Sequence, residues 1–284
     1  MGRFVTVGLA ALLGALLPLF AARPAGEQPL SDDFRPAPLA TPRLDLAIAI
    51  DVSGSAAAAS GLDVDGDGET GVNPRLDDRL RDQYPKGVLS TDPDDSVLAA
   101  ELAAVRALLE GLEGADVRVA VVAYSGQVDP EQGVQLGPPE GNARLAAPLG
   151  PPADALAALD EIARRGPGGG TDFAAGIRAA RAALCDGAAR PGAERRLLFL
   201  TDGVPSLPYG HATRTDPSDV YLAITAAKEA AACGIRIDVF AIGLGALGDP
   251  FASKEVARVT GGTYRAIRTT GGLAPALREA VAAR

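Results

Sequence analysis

Asp51, Ser53 and Ser55 alternate along a short segment that directly follows the apolar run 44–50. The run predicts a buried strand, and ligands of α/β sheets bind just outside the carboxyl ends of the strands. One carboxylate and two hydroxyls are hard oxygen ligands, which Mg²⁺ and Mn²⁺ prefer. Asp, Ser and Gly are also common turn residues, so the alternative is a segment that only ends the strand and caps a helix. The metal interpretation therefore requires further ligands from elsewhere.

Two later segments supply oxygen ligands of the same kind. Thr171 follows three consecutive glycines and precedes a helix predicted over 173–184. Asp202 and Gly203 follow a second apolar run, which predicts a buried strand over 195–201. Independent turns rarely produce all of these ligand positions in one order, which favours a single metal site.

The three motifs together resemble the von Willebrand factor A (VWA) domain and its metal-ion-dependent adhesion site, over roughly residues 44–284. The resemblance implies a three-layer, doubly wound α/β fold with a mostly parallel six-stranded sheet, one antiparallel edge strand and helices on both faces. It also implies Mg²⁺ or Mn²⁺ contacted directly or through water by five residues: Asp51, Ser53, Ser55, Thr171 and Asp202. One departure is Ala56, which stands where the family often has a bulky apolar residue.

The residue types explain what such a site would do. Three of the five ligands are neutral hydroxyls, so only Asp51 and Asp202 offset the charge of the cation. A cation left with positive charge and an exchangeable water can accept a carboxylate from a partner. A hydrolytic metal would instead need a positioned base and an activated water.

The rest of the chain reads as alternating strands and helices, which predicts parallel strands joined by crossover helices. Predicted strands cover 44–50, 117–124, 144–149 at one edge, 195–201, 235–242 and 262–267. Predicted helices cover 97–112, 152–164, 173–184, a segment that ends at Cys233, 251–259 and 273–283.

The connection after the first strand is an unusually long insertion, 56–91, for a βα loop. It contains four alternating acidic residues, which are Asp63, Asp65, Asp67 and Glu69. Asp at positions 1, 3 and 5 with Gly at position 6 matches the first half of an EF-hand calcium loop, although Pro74 replaces the bidentate Glu at position 12. A Ca²⁺ site and a flexible loop without an ion are both open. The insertion leaves the strand end that carries the metal triplet, so we expect it on the same face of the domain.

The two cysteines, Cys185 and Cys233, fall at the ends of predicted helices. Right-handed crossovers put both helices on one face of the sheet, with their carboxyl ends close together. A disulfide is expected in an oxidising compartment, and the alternative is two buried free thiols.

The N-terminus predicts export. Residues 1–22 combine a short basic start with an apolar run, typical of a signal peptide or an uncleaved signal anchor. Residues 23–43 are rich in proline and predict an extended linker. We therefore expect a secreted, periplasmic or cell-envelope protein that contacts a membrane only through an uncleaved anchor.

Composition excludes some functions. The net charge of −9 argues against non-specific nucleic-acid binding, which needs clustered Lys and Arg. The single histidine, His211, and the lack of a Gly-x-Ser-x-Gly motif give no basis for a hydrolase, so we expect no enzyme. The favoured function is metal-dependent protein binding or adhesion. A scaffold subunit of a larger envelope assembly with a structural metal comes second, and a metal-dependent hydrolase third.

Overall fold

The computed structural model describes residues 43–186, 190–212 and 214–283. Within them, one sheet of six strands has the order β3-β2-β1-β4-β5-β6, and every strand pair is parallel except β2 with β3. The strands are β1 Leu44–Asp51, β2 Val117–Tyr124, β3 Ala143–Gly150, β4 Glu194–Thr201, β5 Ile235–Ile242 and β6 Tyr264–Ile267.

Helices cover both faces of this sheet. They are α1 Val97–Gly111, α2 Pro152–Arg165, α3 Phe173–Cys185, α4 Pro217–Ala232, α5 Gly243–Gly248, α6 Phe251–Val259 and α7 Leu273–Ala282. Helices α1, α2 and α7 pack in one apolar core, and α3, α4 and α6 pack in the other. The predicted three-layer, mostly parallel α/β fold is thus confirmed, including its antiparallel edge strand.

Strand β1 lies in the middle of the sheet because its side chains are apolar on both faces. Leu46 and Ile48 belong to one core, while Ala47 and Ala49 belong to the other. Such continuous apolar runs are typical of strands buried between two helical layers. Strand β1 pairs with β2 on one side and β4 on the other. Its last residue, Asp51, pairs with Tyr124 of β2, and the side chain of Thr201 at the end of β4 contacts it from the other side.

The short helix α5 has no counterpart among the predicted elements. It directly follows β5 and has the sequence GLGALG. Six residues, three of them glycine, carry no helical periodicity and low helix propensity, so the sequence pattern could not show it.

The structure joins Cys185 and Cys233 by a disulfide, with Cα atoms 6.6 Å apart. Cys185 ends α3 and Cys233 directly follows α4, and both side chains pack against the same apolar core. The arrangement is the one that the crossover argument predicts.

No helix in the described parts of the chain has the length and apolarity that crossing a membrane requires. The predicted signal peptide or anchor, 1–22, and the predicted linker, 23–43, lie outside the described residues apart from Arg43.

Candidate metal centre

Asp51 is fixed at the end of β1 by hydrogen bonds to both carboxylate oxygens. The backbone N–H of Ser53 donates to Oδ1 at 3.0 Å, and the Thr201 hydroxyl, at the end of β4, donates to Oδ2 at 2.8 Å. The side chain is fully buried. The neighbouring strand ends therefore determine the direction of this carboxylate.

The two serines extend this arrangement toward β4. The hydroxyl oxygens of Ser53 and Ser55 lie 3.1 Å apart, and the Ser55 hydroxyl donates to Oδ1 of Asp202 at 2.9 Å. A short 3-10 helix, Gly54–Ala57, turns the chain here. Ala56 is buried in the core that contains α1, so a small side chain anchors this loop.

Thr171 completes the cluster from the glycine-rich loop. A Cβ built on Gly203 would lie 3.6 Å from Thr171 Oγ1 and 3.7 Å from Ser55 Oγ. Glycine thus leaves space between two hydroxyls that come from different loops. These distances and the hydrogen bonds above connect all five residues that the sequence predicts as ligands.

Backbone contacts hold the glycine-rich loop against the serine loop. The N–H of Gly54 donates to the carbonyl of Gly169 at 2.9 Å, and the N–H of Gly168 donates to that of Val52 at 2.8 Å. Gly169 has a φ of +81°, and a Cβ there would collide with the Gly126 carbonyl. Only glycine fits this close approach.

The site concentrates buried negative charge. Burial raises the pKa of Asp51 to about 6, against the opposing effect of hydrogen bonds from Ser53 and Thr201. Burial, and next the charge of Asp51, raise the pKa of Asp202 to about 8. Neither carboxylate forms an ion pair with any described lysine or arginine. A divalent cation among these oxygens would offset that charge, so the residues present fit a hard metal.

A further buried carboxylate, Glu101 on α1, was not among the predicted site residues. Its side chain is fully buried, and neither carboxylate oxygen has a hydrogen-bond partner among the described residues. Burial, followed by the charges of Asp202 and Asp51, raises its pKa well above the usual value. The sequence contains one signal: Glu101 follows Leu98 by three residues and precedes Val105 by four, on the apolar face of its helix.

The acidic loop of the insertion forms a separate cluster. Carboxylate oxygens of Asp63, Asp65 and Asp67 lie within 4.8 Å of one another, and all three side chains are exposed. Glu69 is not part of this group; its backbone N–H donates to Asp67 at 2.8 Å. The structure thus gathers three of the four residues predicted for a calcium site.

Asp95 ties this insertion to the start of α1. Its two buried carboxylate oxygens accept hydrogen bonds from the N–H groups of Val64, at 2.6 Å, and Gly71, at 2.9 Å. Because Val64 lies within the acidic loop and Gly71 follows it, Asp95 holds both parts of this segment in place.

His211 lies in the connection between β4 and α4. It is exposed, and its Nδ1 lies 3.0 Å from the carbonyl oxygen of Gln132. It lines a surface cleft with neighbouring loop residues and does not contact the five-residue cluster. We assign it no catalytic role.

Comparison with known proteins relates part of this chain to one family. The family model of the von Willebrand factor type A domain matches residues 87–204. The match covers less than half of the chain, and the sheet order and the two helical layers agree with the von Willebrand factor type A fold. No curated protein matches the sequence.

Solved structures share the fold at low sequence identity. The conserved hypothetical protein BatB from Bacteroides thetaiotaomicron superposes with a TM-score of 0.52 at 15% identity, over 84% of this chain and 97% of BatB. The pilus adhesin SpaC from Lactobacillus rhamnosus GG gives 0.53 at 16% identity, over 84% of this chain and 30% of SpaC. A mutant of the PilB minor pilin from Streptococcus sanguinis superposes with a TM-score of 0.56 at 13% identity, over 84% of this chain and 60% of PilB.

Proposed function

We propose that this chain is an exported VWA-domain protein that binds a protein partner through a divalent cation, Mg²⁺ or Mn²⁺. The cation is held by the five clustered residues, which are Asp51, Ser53, Ser55, Thr171 and Asp202. The observation that carries the proposal is their convergence around two buried carboxylates that have no cationic partner among the described side chains.

The chemistry of the ligands favours binding of an acidic side chain. Three neutral hydroxyls and two carboxylates would leave a divalent cation able to bind a further carboxylate. Ser55 is exposed, whereas the other four residues are buried, so the site opens to solvent beside Ser55. A carboxylate of a partner would approach the cation from this side.

The similar structures include a pilus adhesin, a minor pilin and an aerotolerance-related membrane protein, and they support a role at the cell surface or envelope. We therefore favour a binding protein over an enzyme, and we keep the secreted or envelope location predicted from residues 1–22. Mass spectrometry of the exported product would show whether that segment is removed.

Metal binding is tested by calorimetric titration of the purified protein with Mn²⁺. Thr171→Val replaces the hydroxyl by a methyl group of similar size, and we expect Mn²⁺ affinity to fall by about tenfold or more. Ser53→Ala should act in the same direction. Thr225→Val is the matched control, because the Thr225 hydroxyl donates to the backbone of its own helix on the exposed surface. Unchanged affinity in both site variants would contradict the proposed centre.

Partner binding is tested with the same variants immobilised as bait for envelope proteins of the producing cell. A partner should bind in Mg²⁺, elute with EDTA and be absent from the Thr171→Val bait, while Thr225→Val retains it. A bound partner that resists EDTA and is held equally by wild type, Thr171→Val and Thr225→Val would contradict metal-mediated binding.

The burial of four ligands favours a second candidate, a scaffold subunit in which the metal is structural. Here EDTA would lower the melting temperature strongly and would affect partner binding only through unfolding. In the favoured function, EDTA releases the partner at temperatures where the fold is intact. Circular dichroism measured alongside binding separates the two.

We also propose that the acidic loop binds Ca²⁺ through Asp63, Asp65 and Asp67, with Glu69 as a further ligand. Support comes from the convergence of the three aspartates and the glycine-containing turn between them. Luminescence of Tb³⁺ added as a Ca²⁺ substitute should depend on Asp65 and be lost in Asp65→Asn. Equal luminescence from wild type and Asp65→Asn would contradict this site.

A further inference from the structure

Glu101 lies on α1, the helix that packs beside the loop of the proposed metal site. Helix α1 contacts the 3-10 helix Gly54–Ala57, which contains Ser55. Glu101 is the one charged residue among the buried positions of α1; its neighbours Leu98, Leu102 and Val105 are core residues. The helix therefore directs a carboxyl group inward at a position where its other inward side chains are apolar.

This carboxyl group has no hydrogen-bonding partner that would explain its burial. Its exposed fraction is 0%, and both oxygens lack a hydrogen-bond donor among the described residues. Burial of a charged carboxylate without partners is strongly unfavourable, and a leucine here would avoid that cost. A glutamate at this position therefore requires a group that interacts with it.

The charges nearest to Glu101 identify what that group must be. Asp202 and Asp51 are the charged residues that act on it, and both are acidic. In the described structure Glu101 makes no salt bridge. A divalent cation placed between these three buried carboxylates would attract all of them and offset their mutual repulsion.

We infer that Glu101 is a third carboxylate of the metal centre, contacting the cation directly or through one water molecule. This inference rests on the cation site of the proposed function but not on the identity of a partner. With Glu101, the centre offers three carboxylates and three hydroxyls. Because the additional negative charge lies inside the protein, the centre would hold its cation more firmly before any partner arrives.

The test is Mn²⁺ titration of Glu101→Gln, which keeps the shape of the side chain and removes the charge. We expect affinity to fall by about tenfold to a hundredfold. Glu101→Leu, which suits an apolar core position, should give the same loss if the glutamine variant folds poorly. Glu110→Gln is the matched control, because Glu110 is exposed on the same helix; its affinity should equal that of wild type.

Thermal melts of the same proteins provide a second readout. In EDTA, the melting temperature of Glu101→Gln should equal or exceed that of wild type, because the variant lacks the unpaired buried carboxylate. Addition of Mn²⁺ should raise the melting temperature of Glu101→Gln by less than that of wild type. A purely structural role would instead lower the melting temperature equally with and without metal. Wild-type affinity in both Glu101 variants, with Thr171→Val still weakened, would overturn this inference alone. No Mn²⁺ binding by wild type would overturn the proposed metal site as well.

Discussion

At the scale of single residues, the centre depends on carboxylates that the fold keeps out of water. Asp51 and Asp202 are buried, and burial raises the pKa of each above that of an exposed aspartate. Burial thus favours the protonated form of each group, whereas a bound cation would favour the charged form. The stability of the protein should therefore respond to pH differently with and without metal.

We predict that the melting temperature in EDTA falls as the pH rises from about 4 to about 8. The unfolded pKa is near 3.8, and the folded values are about 6 for Asp51 and about 8 for Asp202. In that interval the folded state binds more protons than the unfolded state, so stability decreases with pH. Saturating Mn²⁺ should suppress this decrease, as should Asp202→Asn in part. Parallel curves with and without Mn²⁺ would count against a metal at these carboxylates.

At the scale of elements, the glycine-rich loop and the insertion are held in place by different contacts. Gly169 lies against Gly126 and Gly54, so the glycine-rich loop that presents Thr171 has a single way to pack. The insertion, in contrast, is held at the start of α1 by Asp95. Each loop can be perturbed separately.

Gly169→Ala should destabilise the domain by about 1–3 kcal/mol, because the residue has a positive φ and its Cβ would collide with a carbonyl. The Mn²⁺ affinity of this variant should also fall, because Thr171 lies two residues from the substituted position. Gly168→Ala is the control, since a Cβ there meets open space. Urea denaturation and calorimetry measure the two effects, and equal behaviour of the two variants would refute the packing argument.

Asp95→Ala should loosen the insertion while the sheet stays folded. Two buried hydrogen bonds to a carboxylate would be lost, and proteolysis within 56–91 should accelerate by roughly tenfold. Asp94→Ala tests specificity, because Asp94 is the exposed neighbour. Limited proteolysis followed by mass spectrometry locates the cuts. An insertion equally resistant in Asp95→Ala and wild type would show that other contacts hold it.

At the scale of the whole molecule, the disulfide and the proposed metal centre lie at opposite ends of α3. Asp172 caps the beginning of this helix beside Thr171, and Cys185 ends it. The rise of 1.5 Å per residue separates these ends by about 20 Å. The disulfide closes a loop of sequence separation 48, which restricts the unfolded chain.

The double variant Cys185→Ser/Cys233→Ser should therefore lose up to about 4 kcal/mol of stability by the loop-entropy relation. Its Mn²⁺ affinity should match that of wild type under conditions where it is folded. Urea denaturation gives the first quantity and calorimetry the second. Weakened Mn²⁺ binding in the folded variant would show that the far end of α3 does influence the site.

The sequence by itself determined the layered fold and predicted the five residues of the proposed metal site. Each predicted ligand follows an apolar strand or precedes a helix, and parallel strands bring their carboxyl ends to one edge of the sheet. Local pattern therefore sufficed to predict that Asp51, Thr171 and Asp202 lie at that edge. Although the positions of the cysteines suggested a pair, the 6.6 Å between their Cα atoms is a property of the packed helices.

Only the tertiary structure showed that Glu101 is buried and affected by the charges of Asp202 and Asp51, that Asp95 holds the insertion and that Gly169 packs on Gly126. These facts depend on how a helix and two loops pack over the strand ends. Glu101 is 50 residues from Asp51 in the sequence and 101 from Asp202, and helical periodicity places it only on the inward face. The neighbouring elements decide whether an inward carboxylate meets solvent, a cation or an apolar core. Its burial and its distances to other charges depend on how those elements pack, which the local sequence pattern does not show.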